Sequence, residues 1–476
     1  MRKRWLIGSC LSVLLSVGSL HAAAASDVAD AAMNGNKTAL RSLLLKKADV
    51  NAPQVDGTTA LHWAVRADDM EAVDLLIKAG AKVSAANREG ATPLQLAALN
   101  GNALMIDKLV KAGVDPNAPL TKFKDTALMI AARTGKIDAV KTLLDSGAQV
   151  NAIENWGGTN ALMWAVSERH ADVVNLLLSK GGDVNTRSYF VPSAHGRGFE
   201  GATPVAPKAG QQVDEYASGW LSPLMFASRE GDLDIAKTLV KAGADVNLLS
   251  GDGKNALALA IFNGQYELAS FLVDSKSNVN QADAQRFTPL FWAVDRKNME
   301  IGTNGFPWMV TLDPTPLIKK LLDAGADPNA VVNNTPRARN RGGSPRIVFA
   351  STLMRAAFAG DLELCKLLLS YGADPHVKST DKENMLEAAA GLALIPGYQV
   401  NRTNEERVAL AKILVSLGED VNWADAYGIT PLMAAANLGD TPLVQYLVDA
   451  GSDLLAYDLG KRLDGAFMSS IEPSWY

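Results

Sequence analysis

Five histidines, two cysteines and a set of recurring aspartates are the residues of this chain whose types suit chemistry. Histidine serves acid–base catalysis or zinc ligation, and both uses need a second ligand, base or nucleophile at a fixed spacing. His21 lies close to the amino terminus, and neither His170 nor His195 has a metal-ligand partner at such a spacing. No Gly-x-Ser-x-Gly elbow, His-Glu-x-x-His pair, phosphate-binding glycine loop or paired-cysteine motif occurs. Asp115, Asp183, Asp245, Asp327, Asp374 and Asp420 recur with one period, which makes them turn residues rather than acid–base pairs. Cys10 sits in an amino-terminal apolar run, and the spacing of Cys365 from Leu368 and Leu369 places it on the apolar face of a helix. The residues therefore point to no catalytic group, cofactor or metal, and the expectation is that the protein is not an enzyme.

The elements that carry these residues repeat. The phrases Thr59-Ala60-Leu61, Thr92-Pro93-Leu94, Thr126-Ala127-Leu128, Asn160-Ala161-Leu162, Ser222-Pro223-Leu224 and their successors as far as Thr430-Pro431-Leu432 place a leucine at intervals of 33, 34, 34, 62, 33, 33, 63, 33 and 46 residues. The base period is 33. A second landmark, the glycine of Lys78-Ala79-Gly80-Ala81 or Lys241-Ala242-Gly243-Ala244, follows the leucine by 19 residues in most units. Stepping back by the same rule finds a degenerate first unit around Val28 and Lys47, so the period predicts eleven units.

Each unit reads as two helices. The Thr, Ser or Asn before the anchor caps the first helix, and Pro93, Pro223, Pro289 or Pro431 fits its first turn, where a missing N–H costs nothing. Alanines such as those of Leu432-Met433-Ala434-Ala435-Ala436 let neighbouring helices approach closely. A glycine turn such as Asn100-Gly101-Asn102 leads to a second helix with leucines at i, i+3 and i+4, which the landmark glycine stops in a left-handed conformation. Lys47 and Lys276 occupy that glycine position in two units, at a conformational cost.

The period, the Thr-Pro-Leu anchor, Leu61-His62-Trp63-Ala64 and the Gly-Ala-Asp-Val-Asn ending closely resemble the ankyrin-repeat family over nearly the whole chain after residue 25. The resemblance implies an all-α solenoid of paired helices with projecting β-turns, stacked over residues 26–457 into one continuous core. It also implies that His62 supports its turn by hydrogen bonding, and that the protein binds other proteins. Residues 458–476, with Leu459, Leu463, Phe467 and Met468, read as a short helical cap over the last unit.

Four departures from the period locate extra residues. Segments near 188–217 and 333–349 lengthen projecting turns, whereas segments near 300–314 and 394–404 lengthen the links between paired helices. The two turn-side insertions lie three units apart, on the order of 30 Å at about 8–10 Å per packed helix, and suit a grip on a folded partner at two points. The second of them carries Arg337, Arg339, Arg341 and Arg346 with no acid, a basic finger on an acidic chain.

Aromatic residues mark further candidate contacts. Trp63, Trp164 and Trp292 share one register, two residues after the anchor leucine, in units two, five and eight, while Phe123, Trp156, Trp220, Trp423 and Tyr427 fall at or near projecting turns. Tryptophan contributes heavily at binding hot spots.

The amino terminus sets the expected location. Arg2, Lys3 and Arg4 precede an apolar run from Trp5 to Leu20 and then Ala22 to Ala25, the order of a cleavable secretory signal over residues 1–25. The run is short for a membrane span of about 20 residues. Removing these three positive charges takes the net charge from −5 to −8, which argues against broad nucleic-acid binding. With Cys10 removed as well, no intrachain disulfide remains possible, and a chain that is 48% hydrophobic relies on burial. The expectation is a monomeric, non-catalytic scaffold of the periplasm or cell exterior that holds a protein partner, similar to exported bacterial ankyrin-repeat proteins. The alternatives are a secreted effector acting on a host or neighbouring-cell target and an enzyme whose site the insertions build.

Overall fold

The computed structural model describes residues 26–121, 123–191, 218–298, 313–332, 351–379, 381–391 and 403–456. The expected signal at 1–25, most of each expected insertion, His195, the four arginines of the basic finger and the expected cap at 458–476 lie outside these residues.

Eleven helix pairs follow one another among the described residues. The first helices of the pairs are α1 (Asp27–Met33), α3 (Ala60–Arg66), α5 (Pro93–Asn100), α7 (Ala127–Arg133), α9 (Ala161–Ser167), α11 (Pro223–Glu230), α13 (Ala256–Phe262), α15 (Pro289–Lys297), α17 (Thr352–Phe358), α19 (Met385–Ala389) and α21 (Pro431–Leu438). The second helices are α2 (Lys37–Leu45), α4 (Met70–Lys78), α6 (Ala103–Lys111), α8 (Ile137–Asp145), α10 (Ala171–Ser179), α12 (Leu233–Lys241), α14 (Tyr266–Asp274), α16 (Thr315–Asp323), α18 (Leu362–Ser370), α20 (Asn404–Ser416) and α22 (Thr441–Asp449). Every first helix packs on the next first helix along the whole series, including α9 on α11 and α15 on α17, where the linking segments are longest. The result is the all-α solenoid that the resemblance to the ankyrin-repeat family implies.

Local chemistry explains the boundaries. Thr92 Oγ1 accepts from the Gln95 amide at 3.2 Å and Asn160 Oδ1 from the Met163 amide at 2.9 Å, while Pro93, Pro223, Pro289 and Pro431 sit in first turns. The alanine three residues after each anchor leucine, from Ala64 and Ala97 to Ala389 and Ala435, is fully or almost fully buried, which brings successive first helices together. Leucines of the second helices, among them Leu76, Leu109, Leu143 and Leu177, complete the core, each stabilising the fold by about 1.5–3 kcal/mol. Cys365 is wholly buried among them, as its helical register predicts. The second helices stop at left-handed glycines such as Gly80 and Gly243, and Lys47 and Lys276 adopt the same conformation with φ of 58° and 65°.

The Asp-Val-Asn endings do more than turn the chain. Asp115, Asp183, Asp245, Asp327, Asp374 and Asp420 each accept from the amide two residues on. The asparagine then reaches the next unit: Asn151 donates to the Gly181 carbonyl at 3.0 Å and accepts from the Asp183 amide at 2.8 Å. Asn51, Asn117, Asn185, Asn280, Asn329 and Asn422 repeat both bonds, which tie unit to unit just beyond the ends of the second helices. A short antiparallel ladder of β1 (Phe190–Val191) and β2 (Ser218–Gly219), with Phe190 opposite Gly219, is an addition that the period does not announce.

Candidate partner-binding surface on the projecting turns

The projecting turns are braced tip to tip by backbone hydrogen bonds. The Arg88 amide donates to Asp56 at 2.9 Å, Asn155 to Phe123 at 2.6 Å, Tyr189 to Gly157 at 2.7 Å, Gly251 to Gly219 at 2.9 Å, Ala284 to Asp252 at 2.9 Å and Ala426 to Asp381 at 2.8 Å. These bonds convert separate loops into a ridge whose tips keep a fixed spacing.

Within the ridge, the turn before α9 is organised by one carboxylate. Glu154 is buried and accepts from the amides of Trp156, Gly157 and Thr159 and from the Thr159 hydroxyl. With its backbone held this way, Trp156 projects and is 69% exposed, and Phe123 on the preceding turn is 38% exposed. On the following turn the Tyr189 ring closes over Gly158, where an added Cβ would lie 2.4 Å from it. Trp220 completes the series in a left-handed conformation, φ 54°, with its amide bonded to the Tyr189 carbonyl at 3.1 Å. The Arg187 guanidinium stacks 3.9 Å from the centre of the Trp220 ring and bonds the Trp220 and Leu249 carbonyls, and burial pulls its pKa below the ordinary arginine value. Three successive turns thus present aromatic residues, with Tyr189 and Trp220 both in the lengthened turn between α10 and α11.

The three tryptophans in one register lie on the first helices, half-buried against the core. Their polar handles are used internally: Trp63 Nε1 donates to Gln54 at 2.7 Å and Trp292 Nε1 to Asp283 at 3.1 Å, in each case to the turn of its own unit nine residues earlier. Arg66 and Arg133 stack over the rings of Trp63 and Trp164 at 5.4 and 5.3 Å. Trp292 also meets Phe262 and Phe287 edge-on, at 5.0 and 5.1 Å between centroids. Far along the ridge Trp423 donates to the Lys382 carbonyl at 2.7 Å with the Lys378 ammonium 3.2 Å from its ring centre, and the Tyr427 amide bonds Asp425 at 2.8 Å. The structure therefore groups Phe123, Trp156 and Trp220 on one stretch of ridge, sets Trp423 and Tyr427 on a distant one, and separates both from the three helix tryptophans. Sequence reading did not single out Tyr189, Arg187 or the exposed turn residues Val55, Ile153 and Val331. An apolar residue where polar turn residues are usual was the available signal.

Among the described residues, each histidine is engaged by a neighbour. His62 Nδ1 accepts from the Thr59 amide at 3.2 Å and lies 2.8 Å from its hydroxyl, while Nε2 reaches the Ala91 carbonyl at 3.0 Å, and burial lowers its pKa below the ordinary imidazole value. His170 bonds the Arg133 carbonyl, and His376 pairs with Glu419 at 3.0 Å. An open groove of about 740 Å³ between α16 and α18 carries Lys297, Lys319 and Lys366, each paired with a carboxylate, which makes it a charge-neutralised surface rather than an enclosed site. Among the described residues no group of three or more His, Cys, Asp or Glu is placed to hold a metal ion, and no helix is long and apolar enough to cross a membrane.

Comparison with known proteins follows the same lines. A family model described as ankyrin repeats in three copies matches residues 28–119, 105–188, 224–303 and 353–458, together more than half of the chain. The putative ankyrin repeat protein YahD of Escherichia coli (strain K12) is 25% identical over 228 residues, 48% of this chain and 95% of that protein. Inversin of Homo sapiens is 27% identical over 241 residues, 50% of this chain but 19% of inversin. Among solved structures the human ASB11 ankyrin repeat domain aligns with a TM-score of 0.39 at 23% identity, covering 49% of this chain and 90% of that one. By its repeat architecture and by the family match, the chain belongs to the ankyrin-repeat family.

Proposed function

We propose that this chain is a non-catalytic scaffold of the periplasm or cell exterior that holds a protein partner on its projecting turns. The observation that carries the reading is Trp156: a large aromatic side chain, 69% exposed, stands on a turn whose backbone is fixed by a buried carboxylate and by bonds between turn tips. A rigid aromatic tip loses little conformational freedom on binding and suits a hot spot, and Phe123 extends the patch. Ankyrin repeats serve widely as protein-binding modules, which supports the same reading. The amino-terminal sequence supports export.

The test is capture of cross-linked complexes by the tagged full-length chain in its own cells, compared with a Phe123→Ser, Trp156→Ser variant. Loss of a partner from the variant is the expected result. Recovery of the same partners in equal yield by both baits rejects the turn tips as the holding surface. Fractionation of the same cells tests location, and accumulation of the chain in the culture medium favours an effector acting on another cell.

A further inference from the structure

The floor of the solenoid, formed by half-buried and exposed side chains of the first helices with Ile130 and Phe226 buried among them, has a composition unlike the acidic chain as a whole. Two rows run along it, one residue from each unit per row. The first row lies two residues after the anchor leucine and reads Trp63, Leu96, Ile130, Trp164, Phe226 and Leu259 from units two to seven, with Trp292 in unit eight. The second lies one helical turn on and reads Arg66, Leu99, Arg133, Ser167, Arg229 and Phe262. Neither row contains an acid across units two to seven, although the chain carries a net charge of −5. At the two ends acids do occur and are engaged: Asp30 accepts from Gln54 at 2.6 Å, and Asp295 pairs with Arg355 at 2.7 Å.

Each of the three arginines lies over a ring, and two of them have no carboxylate partner among the described residues. Arg66 lies over Trp63 at 5.4 Å, Arg133 over Trp164 at 5.3 Å and Arg229 over Phe226 at 5.0 Å. Arg66 and Arg133 are exposed and make no ion pair among the described residues, while Arg229 pairs only with its neighbour Glu230, at 3.0 Å. Stacking orients a guanidinium and leaves its edge free for a carboxylate. Leu99, 49% exposed, stands between two of these cations.

We infer that this floor receives an extended, acidic polypeptide segment, its carboxylates on Arg66, Arg133 and Arg229 and its apolar side chains on the intervening row. Charge complementarity selects the occupant. The inference rests on the reading of the chain as a protein-binding scaffold but concerns a different surface and assigns the partner's chemistry. Its geometry is specific. The three arginines fall two units apart, about 20 Å at 8–10 Å per helix, which an extended chain spans in about six residues. Carboxylates about six residues apart, with apolar residues between them, match the floor.

The experiment is a fluorescence anisotropy titration of the full chain with a fluorescein-labelled peptide of about 18 residues, Glu at every sixth position and Leu and Ser between, and with its Lys counterpart. The Glu peptide is expected to bind more tightly than the Lys peptide and to weaken with salt. The variant Arg66→Glu, Arg133→Glu is expected to bind it at least about tenfold more weakly, and Arg66→Gln, Arg133→Gln to fall between. Lys237→Glu, on an outer helix, is expected to leave the affinity unchanged. Absence of binding by the Glu peptide, equal binding of the Lys peptide, or an unchanged affinity in the double variants overturns the inference. None of these results bears on the capture experiment with Phe123 and Trp156, which tests the holding function by itself.

Discussion

Asn185 donates to the carbonyl of Gly243 at 3.1 Å and accepts from the amide of Asp245 at 2.8 Å, although 58 residues separate it from that glycine. Asn151 makes the same two bonds across 30 residues. The long segment between α10 and α11 therefore leaves the stacking of its flanking units intact, and the extra residues leave and return through the β1–β2 ladder. An insertion that rejoins at its point of departure costs little beyond loop-closure entropy.

Removing such a link should weaken one interface. Asn185→Ala loses two hydrogen bonds and is expected to lower stability by about 1–2 kcal/mol. Urea unfolding measures the loss, and hydrogen exchange should place it at the amides around Asp245.

Lys47 and Lys276 occupy left-handed positions that other units fill with glycine. Lys47→Gly and Lys276→Gly are each expected to raise stability by about 1 kcal/mol, less the added chain entropy of glycine. An unchanged urea midpoint in both variants would show that the lysines carry no conformational cost.

Burial holds His62 below the ordinary imidazole value of 6.5, because the fold uses the neutral ring, Nδ1 accepting and Nε2 donating. The unfolded chain therefore takes up a proton before the folded one does. Stability is expected to fall as pH drops below 6.5 and to go on falling until the lower folded value is passed. Compared at about pH 7.5 and 5.5, the native chain should lose more stability than His62→Gln. Equal losses in the two proteins would contradict this assignment.

The tryptophans separate into two kinds. Trp292 is half-buried, bonded to Asp283 and enclosed by two phenylalanines, so Trp292→Ala is expected to cost about 2–3 kcal/mol. Trp156 is mostly exposed, so Trp156→Ala is expected to change stability by less than about 0.5 kcal/mol. Thermal unfolding of the two variants checks the contrast.

Of the candidate surface, the sequence revealed which residues are aromatic and in which unit, since the 33-residue period assigns each to a turn or a first helix. It could not show that the indoles of Trp63 and Trp292 bond their own turns, or that the backbones of successive turns join into a ridge, because those bonds link residues that only stacking brings together.

The sequence by itself determined the eleven units, their caps, their stops and the burial of Cys365, since each depends on chemistry within one short segment. Only the tertiary structure decided which side chains from different units become neighbours. Arg133 lies over Trp164 and Asn185 reaches Gly243 because the units stack in register, and that register is a property of the packed array rather than of any one repeat.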